Sequence, residues 1–275
     1  MKKGLKILAI TLGVILLLLL VTPMLFKSKI EALVKEKVNE QIHATVDWTK
    51  FSLSFFRGFP DLSVNLHQVS VVGIEPFAGD TLAGLQRFEL RVNPFSAIRR
   101  NLVVKSVLVE HPLINGIVLE DGRFNWDITD EAVTLEEGEE AEEASDKSGS
   151  SMTVSLKRFD ITGGRIYYKD QSSDMDASLE GFNLELRGDL SLEQTELKLS
   201  ADIEQLNVKM GGIRYLRDAV FNLDLLAAAN LVENRYTLKE NLISLNGLAL
   251  GAEGDVLLLD EGAMEMDLKV FSRET

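Results

Sequence analysis

Three histidines, His43, His67 and His111, are the only imidazoles in the 275-residue chain, and they stand far apart. None lies in an HExxH motif or at metal-ligand spacing from carboxylates, the arrangement a histidine metal site requires. Cysteine is absent, which excludes disulfides, thiolate metal sites and a cysteine nucleophile. The chain has no GxSxG elbow, no P-loop and no GxGxxG after a strand. Gly163-Gly164 and Gly211-Gly212 read as turns. One crowd of oxygen ligands, Asp121, Asn125, Asp127 and Asp130, suggests calcium. It lacks the spacing and the glycine of a calcium loop, and an Asp-Gly turn accounts for it more simply. The expectation is therefore a protein with no catalytic residues, no cofactor and no metal: not an enzyme.

Charge narrows the partners. The net charge is -14, and much of the excess sits in residues 129–151, which hold nine acids against one base, Lys147. No basic stripe is present, and phosphate backbones are bound through Lys and Arg, so a nucleic acid is not an expected partner.

The elements that would carry any function begin at the N-terminus. Residues 1–6 are basic, through Lys2, Lys3 and Lys6, and residues 7–26 are 20 in a row without a charge. A helix of about 20 apolar residues crosses a hydrocarbon core of about 30 Å. A cleaved signal peptide has a shorter apolar run and a small-x-small cleavage site, which Thr22-Pro23-Met24-Leu25-Phe26 does not offer. We expect a retained, single-pass anchor with residues 1–6 as a cytoplasmic tail. Lys27 and Lys29 follow the span, so the basic bias that sets orientation is small.

Residues 27–44 read as an amphipathic helix. Ser28-Lys29-Ile30-Glu31 resembles a capping box, and Ile30, Leu33, Val34, Val38 and Ile42 recur at helical spacing. This stripe either plugs one end of the sheet that follows or lies on the bilayer surface. From residue 45 the period becomes two. Leu62-x-Val64-x-Leu66, Phe88-x-Leu90-x-Val92 and Val107-x-Val109 stand in a first β-rich part, 45–128. Residues 129–151 have no periodicity and read as an acidic disordered loop. A second β-rich part, 152–275, holds Phe182-x-Leu184-x-Leu186, Phe221-x-Leu223-x-Leu225 and Met264-x-Met266-x-Leu268. Short connections predict antiparallel neighbours, and thus a long meander.

Each strand has one apolar and one polar side, with too few helical residues to cover the apolar one. From the pattern alone the default is a sheet closed on itself as a sandwich or barrel. The alternative is a trough whose apolar lining receives something apolar. Leu184, Leu186, Leu223 and Leu225 are candidates for that lining. Phe51, Phe55 and Phe56 read either as core where helix meets sheet or as the mouth through which a lipid chain enters.

Several motifs in fixed order resemble the AsmA family of envelope proteins in its Bacteroidota form. A single N-terminal span leads into a short helix, then Arg57-Gly58-Phe59-Pro60-Asp61-Leu62-Ser63-Val64, then Asn93-Pro94-Phe95-Ser96-Ala97-Ile98. Asp121-Gly122-Arg123-Phe124-Asn125-Trp126 is similar to a recurrent Gly-x-x-Asn-Trp element. After a polar insert, Gly163-Gly164-Arg165-Ile166-Tyr167-Tyr168 resumes the pattern. The resemblance implies a mainly β fold (α+β): an inner-membrane anchor, then a periplasmic antiparallel meander curled into a groove, related to chorein-like lipid-transfer proteins. It implies a role in outer-membrane assembly, lipid homeostasis and the regulation of protein targeting to membrane. The implied partners are the inner membrane, phospholipid acyl chains and an envelope protein. A scaffold that binds an envelope protein without carrying lipid is the alternative. Family members are usually much longer, which implies that the chain corresponds to an N-terminal portion.

Overall fold

The computed structural model describes residues 28–54, 61–94, 96, 101–128, 153–190, 192–259 and 263–273. The expected anchor at 7–26, Phe55, Phe56 and the acidic segment 129–151 lie outside them. Among the described residues no helix is long and apolar enough to cross a membrane.

Helix α1 covers 28–40, shorter than the 27–44 expected from spacing. Its last turn tightens, with Gln41 N–H donating to the Val38 carbonyl at 3.3 Å. Ala44-Thr45-Val46 then favours extended backbone, because β-branched side chains fit a pleated surface better than a helix.

Strands β1 (Ala44–Asp47) and β2 (Lys50–Ser54) both pair with β3 (Leu62–Gly73), as two halves of one broken strand. Strand β4 (Thr81–Asn93) follows, then β5 (Asn101–Glu110) and β6 (Leu113–Val118), again two halves along one neighbour. Strands β7 (Thr153–Leu156) and β8 (Arg158–Asp170) come next, then β9 (Met175–Arg187) and β10 (Gln194–Met210). The last four are β11 (Ile213–Asn230), β12 (Arg235–Leu245), β13 (Leu248–Leu258) and β14 (Met264–Ser272). All belong to one sheet, with the main order β1-β3-β4-β5-β8-β9-β10-β11-β12-β13-β14.

The sheet is mixed, which corrects the expectation of a purely antiparallel meander. Strand β5 pairs parallel with β7 and β8, and β6 pairs parallel with β8. A parallel pair needs a crossover of a dozen or more residues. The stretch between Val118 and Thr153, which contains the acidic segment, is long enough to supply one.

Apolar residues in the long strands are not strictly alternate. In β3, Leu62, Val64 and Leu66 give way to Val69 and Val71. In β9, Ala177 and Leu179 give way to Phe182 and Leu184. In β10, Ala201 and Ile203 give way to Leu206 and Val208. A one-residue slip would send every later side chain to the opposite face. At these places the backbone breaks: Gln68 has φ 50°, Gly181 has φ 67°, and the β10–β11 register shifts between Ile203 and Leu206. In β3 the consequence is visible, since Leu66, Val69 and Val71 pack on the same buried cluster. Bulged strands free backbone donors, and here asparagines take them. Gly163 N–H donates to Asn183 Oδ1 at 2.8 Å, and Asp218 N–H donates to Asn207 Oδ1 at 3.0 Å.

Among the described residues a small buried cluster lies at the β1–β3 end. Val46, Trp48 and Phe51 form it, with Val38 and Ile42 packed on from the helical segment. Glu31 accepts a hydrogen bond from Trp48 Nε1 at 3.0 Å. The Asn39 side chain brackets the β1 backbone: Val46 N–H donates to its Oδ1 at 2.7 Å, and its Nδ2 donates to the Val46 carbonyl at 3.0 Å.

Candidate functional site

Residues paired across neighbouring strands point to the same side of a sheet. Following the register from β2 gives Phe51, Leu66, Phe88, Val109 and Ile161. It continues through Leu184, Ala201, Leu223, Ile243 and Leu250. Every member is apolar, over ten strands. Nine steps at about 4.8 Å make a stripe about 43 Å long. A second stripe runs beside it through Leu53, Val64, Leu90, Val107 and Phe159 to Leu186, Leu199 and Leu225.

Of the first stripe only Phe51 is buried, at 2% exposure beneath α1. The others are half-buried, and Ile243 is exposed. Two sheets packed face to face would have buried these rows, because sandwich cores are as dense as any protein interior. Among the described residues all strands form one sheet, so no second sheet covers the face.

The opposite side of the same strands is polar. Asn65, Glu89, Leu108, Asp160, Glu185 and Ser200 share one register row, with Leu108 its apolar exception. Ion pairs run along it. Arg91 meets Glu89 at 2.9 Å, Arg87 also pairs with Glu89, and Arg158 meets Asp160 at 2.5 Å. The Arg187 guanidinium hydrogen-bonded to Glu185 holds that carboxyl below its ordinary range. Glu89 and Asp160 are buried, at 9% and 7% exposure, so their arginine partners offset the cost of taking a carboxylate out of water. The sheet thus has one apolar face and one charged face.

The structure brings Leu184 and Leu223 into the first stripe and Leu186 and Leu225 into the second, so these four candidates share one face. Phe51 belongs to the first stripe but is sealed under α1, in the core of the helix–sheet junction. Sequence reasoning missed Phe88, Val109, Phe159 and Ile161 as members of the same surface. The signal was the odd spacing at the strand breaks, which hides the continuity of the face from a period-two reading.

The Asp121–Trp126 element has a structural part in this surface. Asp121 accepts from Arg123 Nε at 2.8 Å, and the paired guanidinium holds its carboxyl below the ordinary range. Asn125 is 3% exposed. Its Oδ1 accepts from Ile117 N–H at 2.9 Å and its Nδ2 donates to the Asn115 carbonyl at 2.7 Å, so the amide stands in for a neighbouring strand beside β6. Trp126 stacks on Phe124, with ring centroids 5.0 Å apart, and leans on Tyr168 at 6.1 Å. It lies so close over Gly116 that a Cβ there would meet its ring at 3.3 Å. Among the described residues no group of three or more His, Asp or Glu is placed to hold a metal ion.

No curated protein matches the chain. The model of the AsmA family matches residues 1–244, which spans the helix, the broken strands, the Asn125–Trp126 element and most of the sheet. The chain belongs to the AsmA family.

Proposed function

We propose that this chain is a non-catalytic, membrane-anchored AsmA protein of the cell envelope that holds or moves phospholipid acyl chains along its apolar face. In this reading residues 7–26 anchor it in the inner membrane and the sheet stands in the periplasm, where the protein serves outer-membrane assembly and lipid homeostasis. The observation that carries the reading is the apolar stripe over ten strands, partly exposed everywhere but at Phe51. An apolar surface of that length is costly to leave in water and is expected to have an apolar occupant. The row behind it is polar and ion-paired, which suits it poorly to an acyl chain. Family membership supports a role in the envelope; the regulation of protein targeting to membrane follows from the same resemblance.

The test is extraction of the purified protein, residues 28–275 and the full chain separately, followed by lipid mass spectrometry. Phospholipid at a fixed ratio to protein is the expected result. Lipid-free protein from both preparations would refute the reading.

A second reading, an anchored scaffold for another envelope protein, has one observation in its favour. A cleft of about 740 Å³ opens on the charged side, lined by Ser52, Ser63, Asn65, Arg87 and Glu89 among others. Its polar lining suits a protein or other polar partner better than an acyl chain. Pull-down with Asn65→Ala and Glu89→Gln variants, which leave the apolar stripe intact, separates the two readings.

A further inference from the structure

Helix α1 is oriented against the usual rule for a surface helix, which turns its apolar side to the protein and its polar side to water. Here Glu31, Lys35 and Asn39 face the sheet. Glu31 holds the Trp48 indole, Lys35 Nζ meets Asp47 Oδ1 at 2.5 Å, and Asn39 brackets Val46. Val38 packs on the core beside them. Ile30, Leu33 and Val34 are left outward, at 36%, 56% and 36% exposure. At 3.6 residues per turn these three centre roughly 120° around the helix from the side that meets the sheet. The sequence places all five apolar positions on one stripe; the structure divides them into an inward pair and an outward trio.

Chain connectivity limits what can cover the trio. The uncharged run ends at Phe26, and Ile30 follows four residues later. Four residues reach at most about 14 Å. An interfacial helix buries its apolar side about 5–10 Å into the boundary between headgroups and acyl chains. With the run in the membrane, Ile30, Leu33 and Val34 are within reach of that boundary.

We propose that Ile30, Leu33 and Val34 dock α1 onto the surface of the bilayer in which the chain is anchored. The β1–β3 end of the sheet is thereby seated at the lipid headgroups. This rests on the anchored reading above and adds the surface that orients the sheet. The occupant is the lipid surface itself, reached by side chains left exposed on the helix.

Because the chain has no cysteine, single cysteines report cleanly. Leu33→Cys, Val34→Cys and Glu36→Cys would each carry an environment-sensitive fluorophore in the full chain. The vesicles would contain phosphatidylethanolamine and phosphatidylglycerol, with nitroxide lipids labelled near the headgroup or deep in the chain. Leu17→Cys, inside the uncharged run, reports the anchor. For a helix lying at the interface, quenching of the Leu33 and Val34 probes by the shallow nitroxide should exceed that of Glu36 by about twofold or more. Deep quenching at Leu17 with Leu33 and Val34 no more quenched than Glu36 overturns the inference and leaves the anchor standing. No quenching at Leu17 overturns the anchor, and the inference with it. Probes at Leu33 and Val34 that are shielded from aqueous iodide yet unquenched by lipid would show a protein surface or a second copy there, and would also overturn it.

Discussion

Replacing Leu184 or Leu223 by Asp separates an open apolar face from a closed core. Burying a leucine completely is worth about 1.5–3 kcal/mol. Leu184 and Leu223 are partly exposed, so each forfeits most but not all of that, roughly 1–2 kcal/mol. The new carboxylate keeps contact with water, and the penalty of several kcal/mol for an unpaired buried charge does not arise. Phe51 provides the contrast on the same register row. At 2% exposure under α1, its truncation alone costs about 3–5 kcal/mol, to which a buried charge adds more. In a domain of this size about 1 kcal/mol moves the melting temperature by roughly 2–4 °C. Leu184→Asp and Leu223→Asp should therefore lower Tm by a few degrees in circular dichroism melting, while Phe51→Asp should lower it by 10 °C or more, on the order of its 3–5 kcal/mol or above. The two leucine variants should also lose co-purifying phospholipid and fail to complement a detergent-sensitive deletion strain. Leucine variants that unfold as readily as Phe51→Asp would mean the face is covered, and the lipid reading would lose its physical basis. Stable variants that retain lipid and complement would mean the face has no such function.

Fusing a reporter active only in the periplasm after Thr275 should give activity, and after Lys3 none; the reverse pattern would invert the topology drawn from the small lysine bias. Asn125→Ala should cost about 2–3 kcal/mol in denaturant melts, because it leaves the Ile117 N–H and the Asn115 carbonyl without their partner. Asn125→Asp should not rescue it, since a carboxylate cannot donate to that carbonyl; full rescue would show that packing, not the two-point clasp, sets the cost. Asp170, hydrogen-bonded by the Ser172 and Ser173 side chains, has its carboxyl lowered to about 2. A group depressed on folding stabilises the fold above its unfolded pKa, near 4, and loses that contribution as pH falls toward 2. NMR titration should place its midpoint near pH 2, and a midpoint near 4 would mean that the turn at Asp170 is not formed in solution.

Much was legible in the residues alone. The missing cysteines, isolated histidines and absent motifs argued against catalysis. The period of two after residue 45 announced the strands, because side chains alternate across a pleated sheet. The alternation put Leu184 with Leu186 on one side of their strand and Leu223 with Leu225 on one side of theirs; the register then joined the two pairs.

What the sequence could not decide was whether that side is covered. Alternation is the same for a sandwich core and for an open face, since it records only which way each side chain points. The tertiary structure bears on it through the exposures, which leave the stripe beyond Phe51 short of the burial a closed core would give it. Nor could local spacing reveal that β5 and β6 lie parallel to β8, a pairing between segments separated by a long crossover. Helix α1 shows the limit most directly. Its spacing put Ile30, Leu33, Val34, Val38 and Ile42 on one stripe. The rotation was fixed instead by hydrogen bonds from Trp48, Lys35 and Asn39, whose partners lie in another element. Helical period tells which residues share a side, but only the groups waiting on the sheet determine which side turns inward.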